Sequence, residues 1–395
     1  MPAKRHNDWP VRQLGEVIEL FDHRRVPLNS RERGGRQGVY PYYGAQGIID
    51  HIDGYLFDGR YILVAEDGEN LNSRKLPLAL FAKGKFWVNN HAHILRANAE
   101  VADDTFLLAC LNHADIKPYV TGAAQPKLSQ ANLRLIKLPV PPLPVQHRIA
   151  SILSAYDDLI GNNTRRIQIL EQMAQALYRE WFVNFRFPGH AKVKQVESPL
   201  GKIPQGWQLK PLGEIAAITM GLSPKGDTYN EWGDGTSLVN GPVEFSERFT
   251  KRTKWTSSPT KLCREGDLVV CVRGSTTGKY VKSDGVYCLG RGVCGLSSKH
   301  QCFVDQLFAN ELPTLLAMTG GSTFPSWTGP QLKSHRVLSP SRELMDCFEA
   351  IVQPMSAAVL QYSRQIQNLR RTRDLLLPKL ISGALDVSKL EIETA

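Results

Sequence analysis

Three short stretches hold residue types that could do chemistry. "GSTTGK" (274–279) has the glycines and the lysine of a phosphate-cradling loop. A Walker loop needs four residues between its glycines, then lysine followed by Ser or Thr, so that backbone N–H groups surround the phosphates and a hydroxyl meets Mg²⁺. Here three residues separate Gly274 from Gly278, and Tyr280 follows Lys279, so the pattern fails. "GRGVCG" (290–295) has the spacing of a dinucleotide fingerprint. That fingerprint works only where a helix N-terminus faces the pyrophosphate. "LSSKHQ" is a poor helix start, so a glycine turn in a sheet is the better reading. "HAH" (91–93) could hold a metal, yet no third ligand suggests itself, and packing or base contact fits better.

Cysteine adds no metal chemistry. Five of the seven cysteines lie between Cys263 and Cys302, separated by 7, 16, 5 and 7 residues, with no CxxC pair. That spacing matches no structural zinc pattern, and reduced, half-buried strand cysteines are expected. Also absent are an Asn/Asp-Pro-Pro-Phe/Tyr methyltransferase tetrad, a GxSxG elbow and an HExxH pair; the one PP pair is in "VPPLP" (140–144). The chain is not expected to catalyse a reaction by itself, nor to bind a metal.

Binding is better supported. The formal net charge is +10. Residues 1–145 carry 18 basic and 15 acidic side chains and residues 188–345 carry 19 and 13, whereas 146–187 and 346–395 are near balance. The surplus therefore sits on two long segments, where it attracts phosphate backbones without regard to base sequence. The opening "MPAKRHND" has no apolar signal region. No apolar run nears the ~20 residues that span a bilayer, so a soluble, cytoplasmic protein is expected.

The elements that must position such binding groups occur twice. "WPVRQLGEVI" (9–18) returns as "WQLKPLGEIA" (207–216), with Trp9/Trp207, Leu14/Leu212, Gly15/Gly213 and Glu16/Glu214 identical. "YILVAEDG" (61–68) lies over "DLVVCVRG" (267–274), each reading as a buried strand that ends in a glycine turn. "TGAAQPKLS" (121–129) lies over "GGSTFPSWT" (320–328), sharing Gly122/Gly321 and Pro126/Pro325. The same offset pairs Ile152 with Ile351, Arg165 with Arg364 and Leu177 with Leu376. Two copies of a unit this long make a duplicated globular domain, not a solenoid. Strand-like runs followed by shorter helical patterns at 103–114 and 305–318 give each copy an α+β character.

Each copy ends in a long helical pattern. Ile149, Ile152, Tyr156, Ile160, Asn163, Ile167, Leu170, Ala174, Leu177 and Trp181 fall three or four apart, with one extra four. Their counterparts are Phe348, Ile351, Met355, Val359, Tyr362, Ile366, Leu369, Arg373, Leu376 and Leu380. This is a coiled-coil seam with a stutter, preferably closed within one chain, with pairing between chains as the alternative. The first helix is expected over about 147–185, a rod of roughly 58 Å at 1.5 Å per residue, ended by Pro188. Pro354 and Pro378 should mark boundaries or kinks of the second. The polar stretch "GHAKVKQVESPLGKIPQGW" (189–207) reads as a linker. Four segments follow: a recognition domain at 1–145, a long helix at 146–187, a second recognition domain at 188–345, and a helix with a tail at 346–395.

Two phrases resemble a known family. Residues 122–182, "GAAQPKLSQANLRLIKLPVPPLPVQHRIASILSAYDDLIGNNTRRIQILEQMAQALYREWF", closely resemble the central conserved region of Type I restriction-modification specificity subunits. "RDLLLPKLISGALDV" (373–387) resembles the C-terminal conserved region of that family, and "GAQGIID" and "YILVAEDG" resemble phrases common in its target-recognition domains. The resemblance covers nearly the whole chain. It implies two similar recognition domains, each reading half of a split DNA site, held apart by two long helices in an antiparallel coiled coil with a pseudo-twofold repeat. It implies two methyltransferase subunits that modify adenine N6, and restriction subunits that add cleavage. It assigns S-adenosylmethionine, ATP and Mg²⁺ to those partners and no cofactor to this chain.

Polar residues in turns beside glycine or aromatic residues are the candidate DNA contacts. In the first domain these are Tyr43, Gln46, Lys83, Lys85, Asn89, Asn90, His91, Gln125 and Lys127. In the second they are Lys251, Arg252, Lys254, Arg273, Ser275, Thr276, Lys279, Arg291, Ser326 and Lys333. Lys and Arg would hold phosphates, while Arg or Lys on guanine and Asn or Gln on adenine would read bases. Outside the shared phrases the copies differ, so the half-sites are expected to differ. A stand-alone DNA-binding protein and a nucleotide-dependent enzyme are the competing readings.

Overall fold

The computed structural model describes residues 9–122, 124–319 and 325–388. The polar opening "MPAKRHND" and Gly321, one half of a repeated glycine pair, lie outside the described residues. By contacts the chain forms two units, residues 1–162 with 366–395, and residues 163–365. The divisions fall inside the long helices and not at their ends, because each half-helix packs into the core of one unit. No helix among the described residues is long and apolar enough to cross a membrane.

In the first unit, a six-stranded sheet runs in the order Ile18–Leu20, Ala92–Ala97, Phe57–Ala65, Ala79–Val88, Gln37–Gly44, Gly47–Ile52. All its pairings are antiparallel except the contact of Tyr42 and Tyr43 with Trp87 and Val88, which is parallel. Side chains alternate across the strand Phe57–Ala65. Ile62 and Val64 enter the larger core with Phe106, Leu107 and Leu133. Phe57, Tyr61 and Leu63 enter a second core with Phe86, Val88 and Ile94 on the other face. The helix Asp104–His113 covers the larger core, its first N–H groups capped by the Asp103 carboxylate.

The second unit repeats this plan in pieces. Ala217–Met220, Val293–Ser297, Leu268–Cys271 and Tyr280–Lys282 form a four-stranded sheet in that order. The strand equivalent to Ala79–Val88 is broken in two, and its second piece, Tyr287–Leu289, pairs parallel with Thr236–Val239. Leu268 and Val270 face the core shared with the helix Gln301–Ala317, while Val269 and Cys271 face Val239, Tyr287 and Leu289. The strand-region cysteines are free and buried. Burial pushes the Cys271 thiol up to about 11 and that of Cys294 up to about 12.

The repeated opening phrase does the same work in both units. Leu14 N–H donates to the Ile136 carbonyl at 2.7 Å, and Leu212 N–H to the His335 carbonyl at 2.8 Å. Both leucines are buried. The Trp9 ring packs over Gly383 in the C-terminal phrase, while Trp207 stacks on Phe187. The stretch 189–207 is more than a linker. It forms a hairpin, Gln195–Ser198 with Gly201–Pro204, and buries Ile203 and Trp207 in the second core.

The long helices depart from expectation at five points. The first, Leu143–Tyr178, starts earlier, with Gln146 Nε2 donating to the carbonyls of Pro141 and Val101. It ends earlier too, in a π-turn at Arg179–Val183. The second, Arg342–Ile381, runs without a boundary through Pro354 and Pro378; the bond each ring removes is outweighed by continuous side-chain packing. Ile351 is 42% exposed, and Val352, at 3%, takes its seam position. Leu153 is likewise buried while Ile152 is only half-buried. Each of these swaps removes a break in the alternating three-and-four spacing. In the first unit Asp157 bonds Arg373, and in the second Asn163 bonds Gln365 and Arg166 lies over the Tyr362 ring. In the second unit the partner number falls from Gln365 to Tyr362 as the first helix advances from Asn163 to Arg166, so the helices run antiparallel there.

Candidate nucleic-acid interface

Three segments meet at one end of each recognition sheet, joined by the same backbone hydrogen bonds. In the first unit, Glu66 N–H donates to the His91 carbonyl at 2.9 Å, Leu128 N–H to Glu66 at 2.7 Å, and Gly68 N–H to Pro126 at 3.1 Å. In the second, Val272 N–H donates to Gly292 at 2.9 Å, Trp327 N–H to Val272 at 3.0 Å, and Gly274 N–H to Pro325 at 3.0 Å. A fourth bond matches as well, from Asn89 N–H to Tyr43 at 3.0 Å and from Gly290 N–H to Val239 at 2.8 Å. Gly68 and Gly274 both adopt the left-handed region, at φ 104° and 79°, where a side chain would be strained. Matching backbone bonds thus join a strand end, a turn and a proline loop in each unit. Loops on such a rigid frame are where recognition residues belong.

The side chains on the two frames differ. The first carries Asp67, Asn90, His91, Gln125 and Lys127. His91 Nδ1 meets Asp67 Oδ2 at 2.7 Å, and Lys127 Nζ lies 3.4 Å from Glu66. Beneath them is an ion-pair network. His93 is buried, with Nδ1 2.6 Å from Asp22 and Nε2 2.8 Å from the Leu128 carbonyl, and Arg25 bridges Glu66 at 2.7 Å and Asp22 at 3.4 Å. Burial opposes ionisation of Asp22, but the hydrogen bond and charge of His93, the Ile94 N–H and the Arg25 charge together outweigh it and hold the carboxyl below its usual range. Ligand-type atoms of Asp22, Glu66 and His93 lie within 4.8 Å of one another, a spacing a cation could bridge. Arg25 and Lys127 already compensate that charge.

The second frame carries Arg273, Arg291 and Ser326, with Ser275 and Thr276 in the next turn. Among the described residues no carboxylate pairs with Arg273 or Arg291, and both are exposed. Backbone bonds within 274–279 close "GSTTGK" as a plain turn, and a strand, not a helix, follows "GRGVCG".

Other candidates lie elsewhere. Tyr43 is buried edge-on against Phe86, and burial raises its hydroxyl pKa. Asn89 is buried and accepts the His91 N–H, so both belong to the frame. Gln46 is exposed in the turn beyond Gly44. Lys83 and Lys85 lie on a strand flank in register with Arg60 and Asp58. Lys251 and Arg252 are exposed on a loop, and Lys254 lies over the Tyr229 ring. Lys279 is exposed beside the turn. The Lys333 stem packs against Gly213.

Comparison with known proteins agrees with this architecture. The family model for the Type I restriction modification DNA specificity domain matches residues 6–172. The putative MjaX specificity subunit of Methanocaldococcus jannaschii is 26% identical, covering 96% of this chain and 94% of that protein. The putative specificity subunit S.HindORF215P of Haemophilus influenzae is 35% identical over 45% of this chain and 46% of its own length. The crystal structure of the Type I restriction-modification S subunit from M. genitalium has the same fold, with a TM-score of 0.68 over 96% of this chain and 98% of that one, at 18% identity. The chain is thus similar along nearly its whole length to Type I restriction-modification specificity subunits, and its first part matches their DNA specificity domain.

Two features of the units are hard to read from sequence. Asp67 meets His91, and Arg25 meets Glu66, only through the fold, so no local pattern marks these contacts. Trp232 is 81% exposed on a loop braced by the buried Asn230 side chain, which bonds Gly233 and Asp234. An aromatic residue between Glu231 and a Gly-Asp-Gly turn was the available signal.

Proposed function

We propose that this chain reads both halves of a split DNA site, one with each three-segment frame, and that methyltransferase subunits docked on it modify an adenine in each half. The observation that carries the reading is the matched pair of backbone frames with different side chains. A shared frame places readers alike on DNA, and different side chains make the half-sites differ. Basic residues elsewhere on each unit would hold phosphates and set register.

The remaining roles belong to partners. Two methyltransferase subunits would use S-adenosylmethionine, and restriction subunits would use ATP and Mg²⁺; this chain would bind none of these. Exposed Ile169 and Met173, four apart on the first long helix, support a docked helix there. The helices would set the number of unread base pairs between half-sites, as spacing does in other bipartite readers. Target adenines would leave the stack to reach the methyltransferase pocket.

Mapping N6-methyladenine across the genome of a host carrying the chain and its methyltransferase tests this. A split motif with two unlike halves, lost when the chain is withheld, is expected. Methylation by the purified chain alone with labelled S-adenosylmethionine would sink the reading.

A further inference from the structure

The first frame contains a pair whose chemistry goes beyond that reading, although it rests on it. His91 is half exposed, with 51% of its side chain open to solvent, and its Nδ1 lies 2.7 Å from Asp67 Oδ2. A carboxylate only accepts, so Nδ1 must carry the hydrogen. In the neutral ring that leaves Nε2 as a bare lone pair, an acceptor with no donor function. Both residues are held from behind by backbone. The His91 carbonyl accepts from Glu66, its N–H donates to Asn89 Oδ1, and Asp67 forms a bridge to Lys127. The ring therefore cannot turn over without giving up the Asp67 bond.

We propose that Asp67 is a positioning residue that fixes the tautomer of His91, so that the first recognition domain presents a hydrogen-bond acceptor to a base donor, the exocyclic amine of adenine or cytosine. In the major groove only those two bases offer an N–H₂ group, while guanine and thymine offer acceptors. The second frame has the opposite character. Arg291 and Arg273 are donors only, suited to the acceptors of guanine. One domain is keyed by an acceptor and the other by donors.

Asp67→Asn inverts the key without removing it. An asparagine amide can donate to Nδ1, which moves the ring hydrogen to Nε2 and turns the acceptor into a donor. The experiment uses the full chain with its methyltransferase, and reads the methylated motif by N6-methyladenine mapping. Wild type is expected to require A or C at one position of one half-site. Asp67→Asn should shift the preference there toward G or T by about tenfold, with the other half-site unchanged. His91→Ala should abolish the preference, and adding Asp67→Asn to it should change nothing more. A purely structural role for Asp67 would instead weaken methylation of every site without changing the base. An unchanged base preference in Asp67→Asn, or in His91→Ala, overturns the proposal. Failure of the wild-type complex to yield any split motif overturns the parent reading instead.

Discussion

Arg373 reaches across from the second long helix and donates from Nη1 to Asp157 Oδ1 of the first at 2.6 Å. It occupies a seam position, yet it does not bury its charge there; it also meets Asp374 at 2.9 Å, and remains partly exposed. An apolar seam thus tolerates a cation by turning it outward onto flanking carboxylates. Exposed pairs of this kind contribute about 0–1 kcal/mol. Arg373→Leu should therefore change the unfolding free energy by less than about 1 kcal/mol. Its coupling to Asp157→Ala in a double-mutant cycle should be equally small, as measured by urea titration.

Gly15 and Gly213 should respond alike. A Cβ on Gly15 would lie 3.0 Å from Arg134 Cβ, and one on Gly213 would lie 3.1 Å from Lys333 Cβ. Each glycine lets a short helix close over the repeated phrase. Gly15→Ala and Gly213→Ala should each destabilise by about 1–3 kcal/mol, the usual range for overpacking. Denaturant midpoints of the two variants check the equivalence.

Much of this was legible in sequence, for a physical reason. Leu14/Leu212 and Gly15/Gly213 recur because each unit packs the same short turn under the same helix. The seam recurs because apolar residues must face one another along the helices. The register at Ile152–Leu153 and Ile351–Val352 was not legible, since each pair offers two adjacent apolar residues and either satisfies a spacing of three or four. Tyr43 and Asn89 carry reader-type groups, but the fold buries them. The contacts of Asp22 with His93 and of Arg25 with Glu66 link residues distant in the chain, and no periodicity encodes such a network.

Lys282 and Asp305 form a mostly buried pair at 2.6 Å, with Lys282 also donating to Ser356 at 3.0 Å. Removing one charge strands the other in the core. Lys282→Met should cost about 3–5 kcal/mol, and adding Asp305→Leu should recover most of it. Urea unfolding of the single and double variants decides the matter.

The turn that ends the first long helix should report on pH. Glu180 accepts two bonds from Arg186, at 2.6 and 2.7 Å, and one from Asn184, and these lower its pKa from 4.5 to about 2. A depressed folded-state pKa contributes stability that is fully present above pH 4.5 and is lost as pH falls towards about 2. Glu180→Gln should flatten stability across that window and leave it unchanged in shape near neutrality. Carboxyl titration by NMR gives a direct check.

If the helices set the gap between half-sites, excising one heptad from each, at 164–170 and 363–369, should shorten the preferred spacer. Both seams keep their phase, because seven residues complete one repeat. Methylation mapping with the shortened chain gives the new gap, and an unchanged gap refutes the ruler.

The bonds shared by the two frames run from amide to carbonyl and ignore side-chain identity. Substitution at Asn90, Gln125, Arg273 or Arg291 therefore leaves the scaffold's own hydrogen bonds intact. Most random changes at a protein's working surface must first survive their effect on folding. Here that filter is largely lifted, so single mutations can explore new DNA targets at nearly constant stability. The same economy makes these positions the natural ones to randomise in a library that selects for altered sites.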